Sequence, residues 1–521
     1  MLITEILSRN GRMYADEIAL IERDPLTHSR RDISWRTFDD QANCFANALL
    51  AHGVTKGDRV LHLMMNSLEW LPSYFGIIRS GAIVAPLNFR FEAEIIQTCN
   101  EIVKAKVLLF GVEFVERVNA IKNALDGTIE HYIYIGPESD CPEYAITYAD
   151  FVRDMAPALP AVSFDLMDEA ALYFTSGTTG QPKAVSLSHR NLEHACYVEN
   201  QHHRQSHEDN FLCIPPLYHT GAKMHWFGNF VVGAKAVLLK GARPEWILEA
   251  ISEEQATIVW LLVPWAHDIL IAWESGDIDF SRYKLDQWRL MHIGAQPVPP
   301  NLIKAWRKLF PHHEYDTNYG LTESTGPGCI HLGLGNTHKI GSIGKPGFDW
   351  EASIVDENLQ RLPTGEPGEL IVKGPGVMRG YHDNPEATAE TIRDGWLHTG
   401  DIAREDEDGF IWLVDRKKDL IITGGENVSP VEVEHFLMEH RHVQDVAVIG
   451  TPDQRLGEVV TAIIQLKPGC DLTEQEVTLF VEQLPRYKRP RRILFDEVPR
   501  NATGKIEKPK LRERYGIMLS A

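Results

Sequence analysis

The segment Tyr173-Phe174-Thr175-Ser176-Gly177-Thr178-Thr179-Gly180-Gln181-Pro182-Lys183 packs two glycines, four small hydroxyl residues and a lysine into one short stretch. Glycines let backbone N–H groups approach a polyphosphate, hydroxyls add donors, and lysine adds a charge. The Gly-Lys-Ser/Thr ending of a Walker loop is absent, so any phosphate grip here is of another kind. Read alone, the same residues serve equally well as a polar surface turn.

A second constellation lies further on. Asp408-Gly409 separates Asp401–Glu407 from Phe410–Arg416, which predicts a β-hairpin. With a two-residue loop, Asp401 falls opposite Arg416 at the open end. A cross-strand ion pair would account for that pairing, and so would a ligand clamp.

These two segments stand in an ordered series with Pro216-Leu217-Tyr218-His219, Tyr319-Gly320-Leu321-Thr322-Glu323 and Gly395-Trp396-Leu397-His398-Thr399-Gly400-Asp401. Asp415-Arg416-Lys417-Lys418-Asp419 and Pro499-Arg500-Asn501-Ala502-Thr503-Gly504-Lys505 complete it. In content and order the series resembles the adenylate-forming superfamily of acyl-CoA synthetases, luciferases and peptide-synthetase adenylation domains, and most of all the AMP-forming acyl-CoA synthetases. The resemblance covers most of the chain. It implies an acid–thiol ligase that uses ATP, CoA and Mg²⁺, first forming acyl-AMP and pyrophosphate, then acyl-CoA and AMP.

The resemblance also assigns residues. Thr175, Ser176, Gly177, Thr178, Thr179, Gly180 and Lys183 would grip phosphates, with Gly294, Ala295, Gln296, Asn318, Tyr319 and Gly320 around the nucleotide. Tyr319 would lie near adenine, Thr322 at the α-phosphate, and Glu323 on Mg²⁺, a cation suited to one carboxylate plus phosphate oxygens and water. Asp401 would accept both ribose hydroxyls, because an ionised carboxylate only accepts, with Arg416 as its partner. Lys505 would stabilise charge as the substrate carboxylate attacks the α-phosphate. Little general-base chemistry is needed, since the acid is ionised at neutral pH. Lys418 would be the hinge of a small domain that takes two arrangements, and Gly424 and Gly425 would line the CoA tunnel, where missing side chains permit close approach.

The sequence departs from the family pattern at Ala184, at Gly294-Ala295-Gln296 and at Trp265. His219, Trp226, Trp265 and Gly294 are expected in the acyl pocket, together with Trp260. Bulky rings there would shorten the pocket and favour a small or medium acid, aromatic or alicyclic. A medium- or long-chain fatty acid, or delivery to a carrier protein, are the alternatives. The basic run Arg486–Arg492 reads either as a contact for CoA phosphates or as a solvated charge run.

Something must hold these residues in place. Short β-branched runs (Val107–Phe110, Tyr132–Ile135, Ala171–Phe174, Phe211–Ile214, Ala236–Leu239, Ile258–Val263) alternate with helical patterns, as in parallel sheets covered by helices. After about residue 350 the texture turns to strands and turns. Ser429-Pro430-Val431-Glu432 then signals a helix start with a capping box, followed by strands at Val446–Ile449 and Val459–Leu466 and a helix near Glu474–Leu484. The expected fold is α/β: residues 1–416 form a large adenylation domain of sheets and helices with a β-rich subdomain, and residues 417–521 form a small, mobile α+β domain carrying Lys505.

At 521 residues the chain exceeds one ordinary core. A formal net charge of −21 argues against a nucleic-acid or anionic-membrane surface. The seven cysteines, Cys44, Cys99, Cys141, Cys196, Cys213, Cys329 and Cys470, form no CxxC pair, which fits free thiols in a reducing compartment. Ile258–Trp273 carries Pro264, His267 and Asp268, so it reads as a strand running into a helix rather than a membrane span. A cytoplasmic enzyme with small-molecule partners is expected, with homodimer formation left open.

Overall fold

The computed structural model describes residues 1–176, 182–294, 298–326, 330–331, 334–416, 419–423, 426–501 and 505–518. It is an α/β protein with a large N-terminal domain and a smaller C-terminal one. Two large sheets organise the first 320 residues. One has seven strands, with Glu314–Asp316, Leu290–Gly294, Ile258–Leu262, Asn210–Cys213, Lys235–Leu239 and Ile18–Asp24 in parallel and Ser29–Ser34 antiparallel at the edge. The other has eight, mostly parallel, and includes the antiparallel pair Glu169–Ser176 and Pro182–Ser188.

Helices Trp35–Ala51, Trp70–Arg79, His189–His203 and Thr220–Val231 share a core with both sheets. Strand residues alternate between faces, as a period of two requires. Phe211 and Cys213 join that central core, while Leu212 and Ile214 join the core beneath helices Pro244–Glu254, Val263–Ser275 and Pro300–Leu309. Val60 and Leu61 divide in the same way on the second sheet. Ile258–Leu262 does run directly into the helix Val263–Ser275. Among the described residues no helix is long and apolar enough to cross a membrane.

A third sheet joins Glu351–Val355, Gly368–Lys373, Trp396–Glu405, Ile392–Arg393 and Ile411–Arg416. Beyond it, Glu426–Val428, Ile421–Thr423, Gly457–Leu466, Val443–Asp453 and Arg492–Phe495 form a sheet with its own apolar core, which includes Val433, Val448, Val460 and Val477.

Two local expectations need correction. The hairpin pairs Asp401 with Arg416 as expected, but not through a two-residue loop. Asp406 N–H donates to the Phe410 carbonyl at 2.9 Å, so three residues turn the chain, with Gly409 at φ +79°. That turn shifts the register by one, and a bulge between Ile402 and Ala403 shifts it back before the open end. The helix Pro430–Leu437 is capped by Ser429 Oγ, which accepts from Glu432 N–H at 3.3 Å. Glu432 does not close a capping box; its carboxylate takes the Lys488 ammonium at 2.6 and 2.7 Å.

Candidate active site

The site lies where parallel strands end. Cys213, Leu262, Gly294 and Asp316 are the last residues of neighbouring strands, and the chain leaves them toward His219, Val263, and Tyr319. Open α/β sheets bind ligands at this edge.

Thr175 pairs with Lys183, and Ser176 with Pro182, so the two ends of the glycine-rich segment lie on paired antiparallel strands. A Walker loop instead runs from a strand into a helix. Gly177, Thr178, Thr179, Gly180 and Gln181 lie outside the described residues, as do Ala295, Gln296, Lys418, Gly424 and Gly425. On the strand Pro182–Ser188, Lys183 Nζ stands 4.9 Å from the centre of the Tyr381 ring. The Tyr381 hydroxyl donates to Glu323 Oε1 at 2.8 Å. Burial and then the Glu323 charge push the Tyr381 pKa above the usual tyrosine range, so the phenol keeps its proton. Thr322 and Glu323 sit on a single 3-10 turn, Thr322–Ser324, tied down where Met378 N–H donates to the Glu323 carbonyl at 2.8 Å. Lys183, Tyr381 and Glu323 therefore bring three distant segments together, and Lys183 and Tyr381 also border a cavity of about 340 Å³.

Nearby, the Tyr319 hydroxyl donates to Asp401 Oδ2 at 2.5 Å. The two side chains are 7% and 5% exposed, so this carboxylate is held inside the cleft. Asp401 N–H donates to Thr399 Oγ1 at 3.1 Å, which in turn donates to the Leu370 carbonyl at 2.6 Å. These bonds fix the strand at the open end of the hairpin, with Arg416 as its backbone partner.

Beyond the end of the strand Asn210–Cys213, His219 caps the helix Thr220–Val231, its Nδ1 accepting from Gly221 N–H at 3.1 Å. A backbone donor at Nδ1 leaves the ring proton on Nε2. Burial, then the charges of Lys505 and His225, push the His219 pKa down to about 3. The Lys505 backbone is tied to Asn501: its N–H donates to Asn501 Oδ1 at 3.0 Å and its carbonyl accepts from Asn501 N–H at 2.9 Å. The His225 ring stacks on Trp260 with centroids 4.4 Å apart, and Asn318 Nδ2 donates to His225 Nε2 at 2.8 Å. Among the described residues, a Cβ added at Gly294 would meet only Trp260 Nε1, at 4.0 Å.

Two expected pocket residues are elsewhere. Trp226 packs among Phe38, Phe75, Phe227 and Phe230 in the central core, because it lies on the face of its helix turned toward Trp35–Ala51 and Trp70–Arg79. Trp265 is half-buried against the core on the opposite face of the seven-stranded sheet. Of the three tryptophans, Trp260 faces Gly294. Tyr381 went unread in the sequence; it lies in the turn-rich Gly380-Tyr381-His382-Asp383-Asn384, where no periodicity marks a functional side chain. In the basic run, Lys488 is taken by Glu432, Arg489 by the Leu484 and Glu482 carbonyls, and Arg492 by Thr451 and the Pro452 carbonyl. Those contacts are structural.

The family model of AMP-binding enzymes matches residues 7–382, and that of the AMP-binding enzyme C-terminal domain matches residues 432–505. The chain belongs to the AMP-binding enzyme family. Its relatives in that family are CoA ligases and synthetases. A feruloyl-CoA synthase of Amycolatopsis is 35% identical over 478 residues, spanning 90% of this chain and 91% of that protein. The long-chain-fatty-acid–CoA ligase FadD13 of Mycobacterium tuberculosis is 31% identical over 485 residues, 91% of each chain. Among solved structures, the anthranilate CoA ligase AuaEII in complex with anthranoyl-AMP superposes with a TM-score of 0.91 at 29% identity, covering 100% of this chain and 98% of that one.

Proposed function

We propose that this AMP-binding enzyme joins a carboxylic acid to CoA in two steps, acyl-AMP formation with release of pyrophosphate, then thioester formation with release of AMP. The observation that carries this reading is the Lys183–Tyr381–Glu323 contact, which ties the Thr175–Lys183 hairpin to the Thr322–Glu323 turn, and the buried Tyr319–Asp401 pair supports it. Asp401, held through Oδ2 by the Tyr319 hydroxyl, would accept the ribose hydroxyls. The segment Thr175–Lys183 and Thr322 receive the phosphates. Arg416 sits beside Asp401 in register, at the ribose.

Mg²⁺ fits Glu323. One carboxylate oxygen is occupied by Tyr381, which leaves the other, and a single carboxylate completed by phosphate oxygens and water is what this cation takes. When bound, it would neutralise phosphate charge. The chain's own contribution is positional and electrostatic. His219 is neutral and can offer its Nε2 proton to an acyl carboxylate without adding charge, so the cationic stabilisation falls to Lys505. Residues 417–521 act as the small domain that brings Lys505 in for the first step and withdraws it for the second, turning about Lys418 and bringing Gly424 and Gly425 to CoA. The separate apolar core at Ile421–Ile493 supports such movement as a unit.

For the acid, the stacked His225–Trp260 pair beside Gly294 favours a small or medium aromatic or alicyclic group. The feruloyl and anthranilate enzymes point the same way, and FadD13 points toward long chains. A panel of aromatic, alicyclic and fatty acids, scored for AMP with and without CoA, tests both levels. AMP release that requires CoA supports the ligase; highest activity on palmitate would overturn the acyl class alone.

A further inference from the structure

Behind the acyl pocket lies a buried cluster that the proposed reaction does not use. Glu199 and His203 stand one turn apart at the end of the helix His189–His203, while His292 and Asp316 are cross-strand partners in the seven-stranded sheet. All four are 0% exposed. His203 Nδ1 lies 2.6 Å from Glu199 Oε1, which fixes the ring and turns Nε2 toward the sheet. There Nε2 lies 2.5 Å from Asp316 Oδ2 and 3.2 Å from His292 Nδ1, and the last two atoms are 3.8 Å apart.

We propose that His203 Nε2, His292 Nδ1 and Asp316 Oδ2 bind one divalent transition-metal ion of the zinc type, with Glu199 orienting His203 from behind. The three atoms surround a common centre at roughly the 2.0–2.2 Å that zinc keeps from imidazole nitrogen and carboxylate oxygen. Binding displaces the proton that His203 Nε2 shares with Asp316, releasing it to solvent, and opens the short Asp316–His203 edge toward the spacing of a tetrahedral site. A carboxylate holding the far nitrogen of a ligating histidine is the usual outer support of such sites. Two imidazoles and a carboxylate, without thiolate, suit zinc over calcium or magnesium. Full burial of all four side chains makes the ion structural. Its consequence is local: the His292 ring lies 4.2 Å from that of His225, which stacks on Trp260 and accepts from Asn318, so the ion would stiffen one wall of the acyl pocket.

The test is the metal content of the full-length protein, freed of any histidine tag, by inductively coupled plasma mass spectrometry. About one zinc per chain is expected, with a melting temperature that falls after treatment with a zinc chelator and recovers with zinc but not with magnesium. His292→Asn and Asp316→Asn, both close in volume to the native residues, should each lose the ion. A wild-type protein without stoichiometric metal overturns the proposal whether or not the variants fold, and leaves the four groups held by shared protons alone. So does zinc that both folded variants retain. Failure here leaves the ligase reading untouched, because that is scored by AMP release.

Discussion

Asp406 is the residue through which the sequence most directly controls the hairpin that presents Asp401. Its two carboxylate oxygens have separate tasks. Oδ1 accepts from the backbone N–H groups of Asp408 at 3.0 Å and Phe410 at 2.9 Å, shaping the turn, while Oδ2 accepts from Trp412 Nε1 at 2.9 Å and Lys339 Nζ at 3.0 Å. Burial alone would raise its pKa, but the bonds from Trp412, Lys339 and the two amides outweigh burial and hold it well below the usual carboxylate range. Asp406→Asn keeps the Oδ1 half and turns an amide donor toward two donors. Hydrogen bonds to a charged group contribute about 1.5–3 kcal/mol each. Lys339 retains Asp408 at 2.6 Å, so the loss should be near the single-bond value, about 2–3 kcal/mol. Asp406→Ala removes both halves and should cost about 3–4 kcal/mol. Thermal unfolding followed at pH 7, with the KM for ATP in parallel, should rank wild type above Asn above Ala, with KM rising in the same order. The folded-state pKa is depressed, so the stabilisation is complete above the unfolded value of about 3.9 and is lost as pH falls below it. The gap between wild type and Asn should therefore be constant from pH 8 to 5 and shrink in stronger acid. Asn and wild type melting together at pH 7 would refute this account of the hairpin.

Two further predictions concern the neighbouring elements. Lys223 is fully buried with its Nζ 4.3 Å from the centre of the Tyr173 ring and 4.5 Å from that of Tyr74, and burial pushes its pKa well below the usual lysine value. Below an unfolded pKa of about 10.4 the unfolded chain binds a proton that the folded one gives up, so Lys223→Met should raise the melting temperature at pH 7 and raise it less at pH 10. A lower melting temperature for Lys223→Met at pH 7 would count against a neutral Lys223. Gly294→Val adds bulk where a Cβ meets only Trp260 among the described residues, so it should leave the melting temperature nearly unchanged while cutting activity on the bulkiest acids of the panel more than on the smallest. A uniform loss across the panel would remove Gly294 from the acyl wall.

How the sequence encodes this site differs from motif to motif. The strands at Val107–Gly111, His131–Ile135 and Lys235–Leu239 are legible because a central parallel strand is apolar on both faces and bounded by turns. The Asp401–Arg416 pairing was legible too, though the turn that was expected to produce it is not the one the chain makes: a three-residue loop and a bulge compensate one another. Glu432 shows the limit of local signals. Its spacing from Ser429 is that of a capping box, yet Lys488, 56 residues away in sequence, claims it. Trp226 and Trp260 are alike in sequence terms and both are buried in the central core, and only the packing of the fold decides that Trp226 meets Phe38 and Phe75 while Trp260 lies beside His225 and Gly294. Tyr381 reaches Glu323 through a fold contact that no motif announces.

In the proposed reaction Lys505 serves the first chemical step and not the second. Lys505→Ala should be assayed for each half-reaction separately, acyl-adenylate formation from acid and ATP, and thioester formation from supplied acyl-AMP and CoA. Removing one donor of this type costs roughly 10²–10³-fold in rate. A loss of that order is expected in the first half-reaction, with the second close to wild type. Equal loss in both would contradict this role of Lys505.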